Sequence, residues 1–342
     1  MNKNSRRVTI KDIAERCGVT ANTVSRVLRN DSRISEATAK RVCQAADEMG
    51  YIRNSFAAAM RSGSSKLISI IVDDIQNPHY ATLINTVDLL LKEKGYDTMT
   101  LCTYGDPKSE LSMANRSVAN LVDGVLYFPE SNDMGSAKLI QQNQIPLVLI
   151  DREIRGIQAD VVRLNDYQGA ETAAEYLYAC GHRRFAYLSG PAGNGAQPLR
   201  QGGFVDALAR HGIDAEDIRI LDMDIIYRTV QSKAIVQAIG PLDYTAVFAF
   251  NDQRAYHVMN ALRDNGYRVP EDISVIGFDH IRASLPYLPP LSSVSSACAR
   301  MLAEKSVSLL LRRIEDSNAE FVTEIIPAVL HEEESTVRNI VV

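Results

Sequence analysis

The chain has 342 residues, of which 46% are hydrophobic and 23% charged, a length for two or three domains and a composition that excludes wholesale disorder. No run reaches the ~20 apolar residues of a membrane helix, and the opening segment MNKNSRRVTIKD lacks the apolar centre of a signal peptide. The net charge of −5 is unevenly spread: residues 1–64 carry 12 Lys and Arg against 6 Asp and Glu, the remainder 25 against 36. A basic head of +6 on an acidic body of −11 points to a polyanionic partner for the head alone. Five scattered cysteines, at 17, 43, 102, 180 and 298, form no CxxC pair, which argues against a disulfide scaffold or zinc cluster and for a reducing cytoplasm.

Thr9 can cap a first helix whose apolar positions Ile10, Ile13, Ala14 and Cys17 follow i, i+3, i+4, i+7 spacing. Asp12 sits in its first turn, where the helix dipole favours a carboxylate, and Gly18 is its stop. Thr20 caps a second short helix, Val19 staples onto Val24, and Val27 and Leu28 complete the inner face. A third helix runs from Ser35 through Ala39, Val42, Ala46 and Met49 to Gly50. Three short helices with a tight glycine turn between the first two form a helix-turn-helix pattern. The second helix leaves Ala21, Asn22, Thr23, Ser25, Arg26 and Arg29 outside. That small, polar, basic face suits a major groove, where Arg pairs best with guanine, Asn with adenine and hydroxyls with phosphate.

VTIKDIAERCGVTANTVSRVLRN, followed by ISEATAKRVCQAADEMGYIRN, resembles the head of the lactose-repressor (LacI-type) family of bacterial transcription regulators, and the resemblance extends over nearly the whole chain. It implies that Ala21, Asn22 and Arg26 read bases, while Thr9, Thr20, Thr23 and Ser25 hold phosphates; Arg29 departs from the Asn common in the family. The connector NSFAAAMRSGSS (54–65) reads as a helix of about two turns capped by Asn54, too short to be stable alone in water. By resemblance, two such hinges pair over the minor groove, each wedging an apolar side chain between base steps, here Met60 in place of the usual Leu. Arg53 replaces the usual Pro, and Ala58 a common polar residue.

From Lys66 short apolar strands alternate with helices. The strands LISIIV (67–72), TMTLC (98–102), GVLYF (124–128) and LVLI (147–150) form a first series with helices 79–94, 107–121 and 135–143. FAYL (185–188), IRIL (218–221), AVFAF (246–250) and ISVIGF (273–278) form a second, with helices 167–180, 200–211, 228–239 and 253–265. Repeated βα units imply parallel sheets with helices on both faces. The fold class is therefore an all-α helix-turn-helix head plus an α/β body of two doubly wound parallel-sheet lobes. Resemblance to the family and to periplasmic sugar-binding proteins adds a threefold crossing between lobes. The expected division is a head at 1–53, a hinge at 54–65 and a core at 66–342. Within that core, a first lobe spans about 66–162 plus 293–322 and a second about 163–292 plus 323–342.

Ligands of open parallel sheets gather beyond the carboxyl ends of the strands. Reading just past each strand gives Asp73 and Asp74 with His79 and Tyr80, Tyr127 and Phe128, Asp151 and Arg152, the loop 190–200, Asn251 and Asp252, and Phe278 and Asp279. Carboxylates, an amide and an Arg suit hydroxyl-rich ligands, and aromatic rings cover the flat face of a sugar or base. The family resemblance assigns effector binding to positions matching Asp151, Arg200, Asn251 and Asp279, and lining roles to His79, Tyr80 and Tyr127. The chain has no Trp, and Glu333 stands where an Arg is frequent, so no particular sugar or nucleobase follows.

GPAGNGAQP (190–198) breaks the dinucleotide-binding spacing at Pro198 and has no Walker Lys. The six His show no HExxH spacing, and Ser189 is in no G-x-S-x-G elbow. The expectation is a cytoplasmic, sequence-specific DNA-binding regulator, most simply a repressor, with no catalytic residues, metal or cofactor. Its partners would be a pseudo-palindromic double-stranded operator, a second copy in a homodimer and a small-molecule effector, a sugar or sugar derivative bound between the two lobes, with no membrane. Two alternatives stand beside it: a purine- or nucleoside-responsive member of the family, and a ligand-binding or enzymatic α/β protein with a vestigial head.

Overall fold

The computed structural model describes residues 8–28, 31–51, 63–191, 194–222, 232–298 and 300–337. Arg29, Met60 and the expected hinge helix lie outside the described residues, as does the expected start of the helix at 228. The chain divides into two units, Met1–Gly63 and Ser64–Val342. Among the described residues no helix is long and apolar enough to cross a membrane.

The first unit holds α1 (Ile10–Cys17), α2 (Ala21–Val27) and α3 (Glu36–Glu48). Thr9 donates both its N–H and its hydroxyl to the Asp12 carboxylate at 2.7 Å, which fixes the start of α1. Gly18 ends α1 in the left-handed conformation at φ 62°, where a side chain would be strained. Ile13, Cys17, Val24, Val27, Val42 and Ala46 are buried together between the three helices.

The second unit contains two six-stranded sheets. Its first lobe runs β1 (Leu67–Val72), α4 (Pro78–Glu93), β2 (Asp97–Cys102), α5 (Pro107–Ala119), β3 (Gly124–Tyr127), α6 (Gly135–Gln142), β4 (Leu147–Ile150) and β5 (Asp160–Leu164). Its second runs α7 (Asp166–Ala179), β6 (Phe185–Leu188), α8 (Ala196–Arg210), β7 (Ile218–Leu221), α9 (Ser232–Ile239), β8 (Ala246–Ala249), α10 (Asp252–Asp264), β9 (Ser274–Phe278) and β10 (Ser292–Ser296). The chain then returns through α11 (Met301–Glu315) and β11 (Thr323–Ile326) and closes with β12 (Ala328–His331). Strand order is β11-β5-β4-β3-β1-β2 in one sheet and β12-β10-β9-β8-β6-β7 in the other. Pairing is parallel throughout except that β12 runs antiparallel to β10. Central strands such as β3, β4 and β8 are buried on both faces, whereas the edge strands β2 and β11 mix exposed with buried positions.

The three crossings fall at residue 165, between the end of β10 at Ser296 and the start of α11 at Met301, and at Pro327. The second and third lie a few residues later than the sequence implies. Ser292–Ser296 pairs with β9, and Thr323–Ile326 pairs with β5, so each strand completes a ladder before the chain changes lobe. Asp160 anchors the returning segment: its carboxylate accepts from Arg313 and Arg312 at 2.9 Å and from the Val322 N–H. At the start of the first lobe, Asp123 accepts from the Ser65 N–H at 2.7 Å and the Lys66 N–H at 3.1 Å, and from the hydroxyls of Ser64 and Ser65.

Helix α8 begins at Ala196 rather than at the expected residue 200. Pro198 falls within the first turn, where no intrahelical N–H is needed, and the Asn194 side chain accepts from the Ala196 N–H at 3.0 Å. Arg200 is therefore carried one turn into the helix. Helices α7 and α8 touch at Gly203, where an added Cβ would lie 2.2 Å from the Tyr167 carbonyl oxygen.

Candidate functional site

On α2 the Thr20 hydroxyl accepts the Thr23 N–H at 3.1 Å and pairs with the Thr23 hydroxyl at 2.9 Å, so both threonines line the start of the helix. Asn22 is exposed, whereas Ala21 is half-buried and packs on the head core. Arg26 donates its Nε to Asp31 at 2.9 Å. Arg33 and Arg26 together hold the Asp31 carboxyl well below the usual carboxylate range. This pairing fixes the direction of the Arg26 side chain on a face that also presents Asn22, Thr23 and Ser25.

In the body, one cleft of about 490 Å³, its open mouth included, lies beyond the strand ends of both sheets. The first lobe supplies Asn77, His79 and Tyr80 from the start of α4, and Asp151 and Arg152 from the end of β4. The second supplies Asp166 from the first turn of α7, Arg200 from α8, Asn251 from the cap of α10 and Asp279 from the end of β9. Asp151 at φ 68° and Asp279 at φ 104° both have positive backbone angles, strained for residues other than Gly and typical of side chains re-aimed at a ligand site.

Arg200 is the centre of this network. Its Nε donates to Asp166 at 2.8 Å, its Nη1 donates to the Phe250 carbonyl at 2.6 Å, and Asp279 lies 3.8 Å away. The guanidinium rests 3.6 Å over the Phe278 ring. Burial opposes its charge, but Asp166 and Asp279 hold its pKa above the ordinary arginine value. Burial also pushes the Asp166 and Asp279 carboxyls up, with Arg200 pulling both back. His79 approaches Asp151 at 3.8 Å. Burial would lower its pKa, yet Asp279 and Asp151 together raise it to about 9, so the imidazole carries charge at neutral pH.

Of the residues expected at the ligand end, His79, Tyr80, Asp151, Arg200, Asn251 and Asp279 line this cleft together. Asn251 caps α10, its side-chain oxygen accepting the Arg254 N–H at 3.1 Å. Tyr127 does not line it. Side chains alternate along β3, so Tyr127 points into the opposite face with Val125 and Leu149, fully buried. Phe128 takes the cleft-side direction and meets the Tyr80 ring edge-on, centroids 5.4 Å apart. Phe278 is likewise fully buried and acts as the floor under Arg200. Asp252, also past a strand end, turns inward to accept from the Ser293 hydroxyl at 2.5 Å and the Ile281 N–H at 2.8 Å, bracing the loop that carries Asp279. Asn194 lines it from the loop 190–200, while Asp166 and Phe250 are lining residues that the sequence did not single out. Asp166 follows β5 as Asp151 follows β4, and the same strand-end rule applied to Val161–Leu164 finds it.

Residues 9–54 match the profile described as bacterial regulatory proteins, lacI family, and residues 174–336 match a periplasmic binding protein-like domain. The chain is 31% identical over 304 residues to the HTH-type transcriptional regulator DegA of Bacillus subtilis (strain 168), covering 87% of this chain and 89% of that protein. It is 31% identical over 339 residues to the HTH-type transcriptional repressor PurR of Vibrio atlanticus (strain LGP32), covering 97% and 99%. Among solved structures, a complex of the transcriptional regulator CelR with cellobiose superposes with a TM-score of 0.68 at 26% identity, covering 96% of this chain and all of that one. A lac repressor dimer bound to operator superposes with a TM-score of 0.79 at 24% identity, covering 97% and 100%, a likeness of fold.

Proposed function

Because the chain belongs to the lacI family of bacterial regulatory proteins, DNA-binding transcription regulators rather than enzymes, we propose that it is a cytoplasmic repressor controlled by a sugar or sugar derivative. It holds a pseudo-palindromic operator as a homodimer, one α2 face in each of two major grooves, with the effector bound between the lobes. Ala21, Asn22 and Arg26 read bases, Arg29 adds a DNA contact, Thr9, Thr20, Thr23 and Ser25 hold phosphates, and Met60 enters the minor groove. Effector contacts come from Asp151, Arg200, Asn251 and Asp279, with His79 and Tyr80 alongside. The observation that carries this reading is the convergence of Asp151, Asp166, Arg200 and Asp279 on one cleft at the ends of both sheets. Carboxylates and a guanidinium fixed in this way match the paired donors and acceptors of vicinal hydroxyls.

DNA selected from a random pool, titrated with the full chain across salt, tests the first half. Specific affinity should fall on the order of a hundredfold or more between 50 and 200 mM salt; a flat salt response would remove the operator reading. Sugars and free purine bases screened by thermal shift test the second half. Asp279→Ala should lose the response to whichever compound binds while still binding the selected DNA, and an unchanged dose response would remove Asp279 from the site. The Tyr80 ring would also serve a flat nucleobase, so a response to hypoxanthine and to no sugar would favour the purine alternative.

A further inference from the structure

The charges of the cleft are matched in an unusual way. Among the described residues three cationic side chains line it: His79, Arg152 and Arg200. Arg200 is committed to Asp166, and His79 to Asp151, both carboxylates of the lining itself. Arg152 differs. Its Nη2 meets the Glu130 carboxylate at 3.0 Å and its Nη1 donates to the Glu130 carbonyl at 3.1 Å. Glu130 is not a lining residue, so the counter-charge of Arg152 stands behind the wall of the cleft. Counting it, four carboxylates face three cations around the ligand space.

Glu130 is held where it can do this. Its N–H donates to the buried Glu110 carboxylate at 2.7 Å, and the neighbouring Ser131 hydroxyl donates to the other Glu110 oxygen at 2.6 Å. Arg152 in turn reaches across the cleft: an added Cβ on Gly195, from the second lobe, would lie 3.4 Å from its Cδ. Only 12% of the Arg152 side chain is exposed. A ligand entering beside the Gly195 loop therefore passes a guanidinium already spent on an internal carboxylate.

Resting on the reading of this cleft as the effector site, we propose that it admits uncharged ligands and rejects phosphorylated or carboxylated ones, and that the Arg152–Glu130 pair is the specificity-determining element. An incoming anion meets surplus carboxylate and no cation without a counter-charge among the described lining residues. Like-charge juxtaposition of this kind is how sites discriminate against wrong partners. Removing the charge of Glu130 alone converts Arg152 into an anion receptor and leaves every lining residue in place. Acid does the same to the native chain. Burial pushes the Glu130 carboxyl up to about 7, with Asp73, Glu110 and Asp151 raising it further and Arg152 opposing them. Protonation below that pH removes the carboxylate partner of the guanidinium and leaves its bond to the Glu130 carbonyl, while Asp73, Glu110, Asp151, Asp166 and the Tyr80 hydroxyl remain the groups around the pair.

Calorimetric titration of the full-length protein with sulfate at constant ionic strength tests the pair without knowledge of the effector. At pH 8 the native protein should bind sulfate weakly, and Glu130→Gln should bind it roughly tenfold more tightly or better, the gain expected of one charged hydrogen-bonding partner set free. Adding Arg152→Met to Glu130→Gln should abolish that gain. If Glu130→Gln fails to fold, the native protein carries the test, with sulfate affinity rising between pH 8 and pH 6. A folded Glu130→Gln with no gain, or a gain that survives Arg152→Met, overturns the proposal.

Ligand pairs then test selectivity: D-glucose against glucose 6-phosphate, D-ribose against ribose 5-phosphate, and hypoxanthine against inosine monophosphate. Native protein that binds a phosphorylated member as tightly as its neutral counterpart also overturns it. Preference for hypoxanthine over both its nucleotide and every sugar keeps the charge rule and instead defeats the sugar reading above.

Discussion

His79 shows how a single proton can be tied to the closeness of two lobes. It stands on α4 of the first lobe, and the carboxylates that raise its pKa come from Asp279 on the second lobe and Asp151 on the first. Its folded value of about 9 exceeds the ordinary 6.5, so the folded state binds this proton more tightly than the unfolded chain does. The resulting stabilisation is present in full below about pH 6.5 and is lost as pH rises through about 9. Its ceiling is on the order of 3 kcal/mol. Urea titrations at pH 6.5 and pH 9 should show the native protein losing more stability than His79→Gln over that interval. Equal losses would mean that the imidazole is not held charged between those carboxylates.

At the scale of elements, two helices depend on a residue without a side chain. Gly203 on α8 sits against the backbone of α7, with no room for a methyl group beside the Tyr167 carbonyl. Gly203→Ala forces the helices apart and moves Arg200 and Asp166, which those same helices carry into the cleft. The expected cost is about 1–3 kcal/mol, read from urea denaturation, together with weakened ligand response. An unchanged midpoint would show that the pair can separate freely. The alternation of strands and helices, the caps at Thr9 and Thr20 and the strand-end carboxylates were all legible in the sequence, because each follows from local spacing. Tyr127 was not, since neighbours on one strand share a position but face opposite ways, and only the register with β1 and β4 decides which one meets the ligand. The early start of α8 was hidden by Pro198, which breaks a helix interior but is tolerated in a first turn. Asp166 has a strand-end position like that of Asp151, but its pairing with Arg200, 34 residues away, and that of Glu130 with Arg152, 22 residues away, leave no local pattern.

At the scale of the whole molecule, the basic head and the acidic body fall in separate units, Met1–Gly63 and Ser64–Val342, so charge can be specialised in each without conflict. The body is organised differently, with each of its lobes assembled from two stretches of chain. Neither can be finished early. The first sheet lacks β11, and its helix α11, until the chain has been made beyond residue 326, and the second lacks β12 until residue 331. During synthesis the head has all its helices by residue 48. At about 5–20 residues per second, the two sheets wait some tens of seconds longer for their last strands. A chain stopped after residue 300 should therefore yield a folded head on a body that fails to fold, seen as loss of the cooperative thermal transition of the full protein; a body that still melts cooperatively would show the return segment to be dispensable. The threefold crossing makes residues 301–331 the stretch that completes the two halves within a few residues of each other, so a ribosome that has finished the first lobe has all but finished the second.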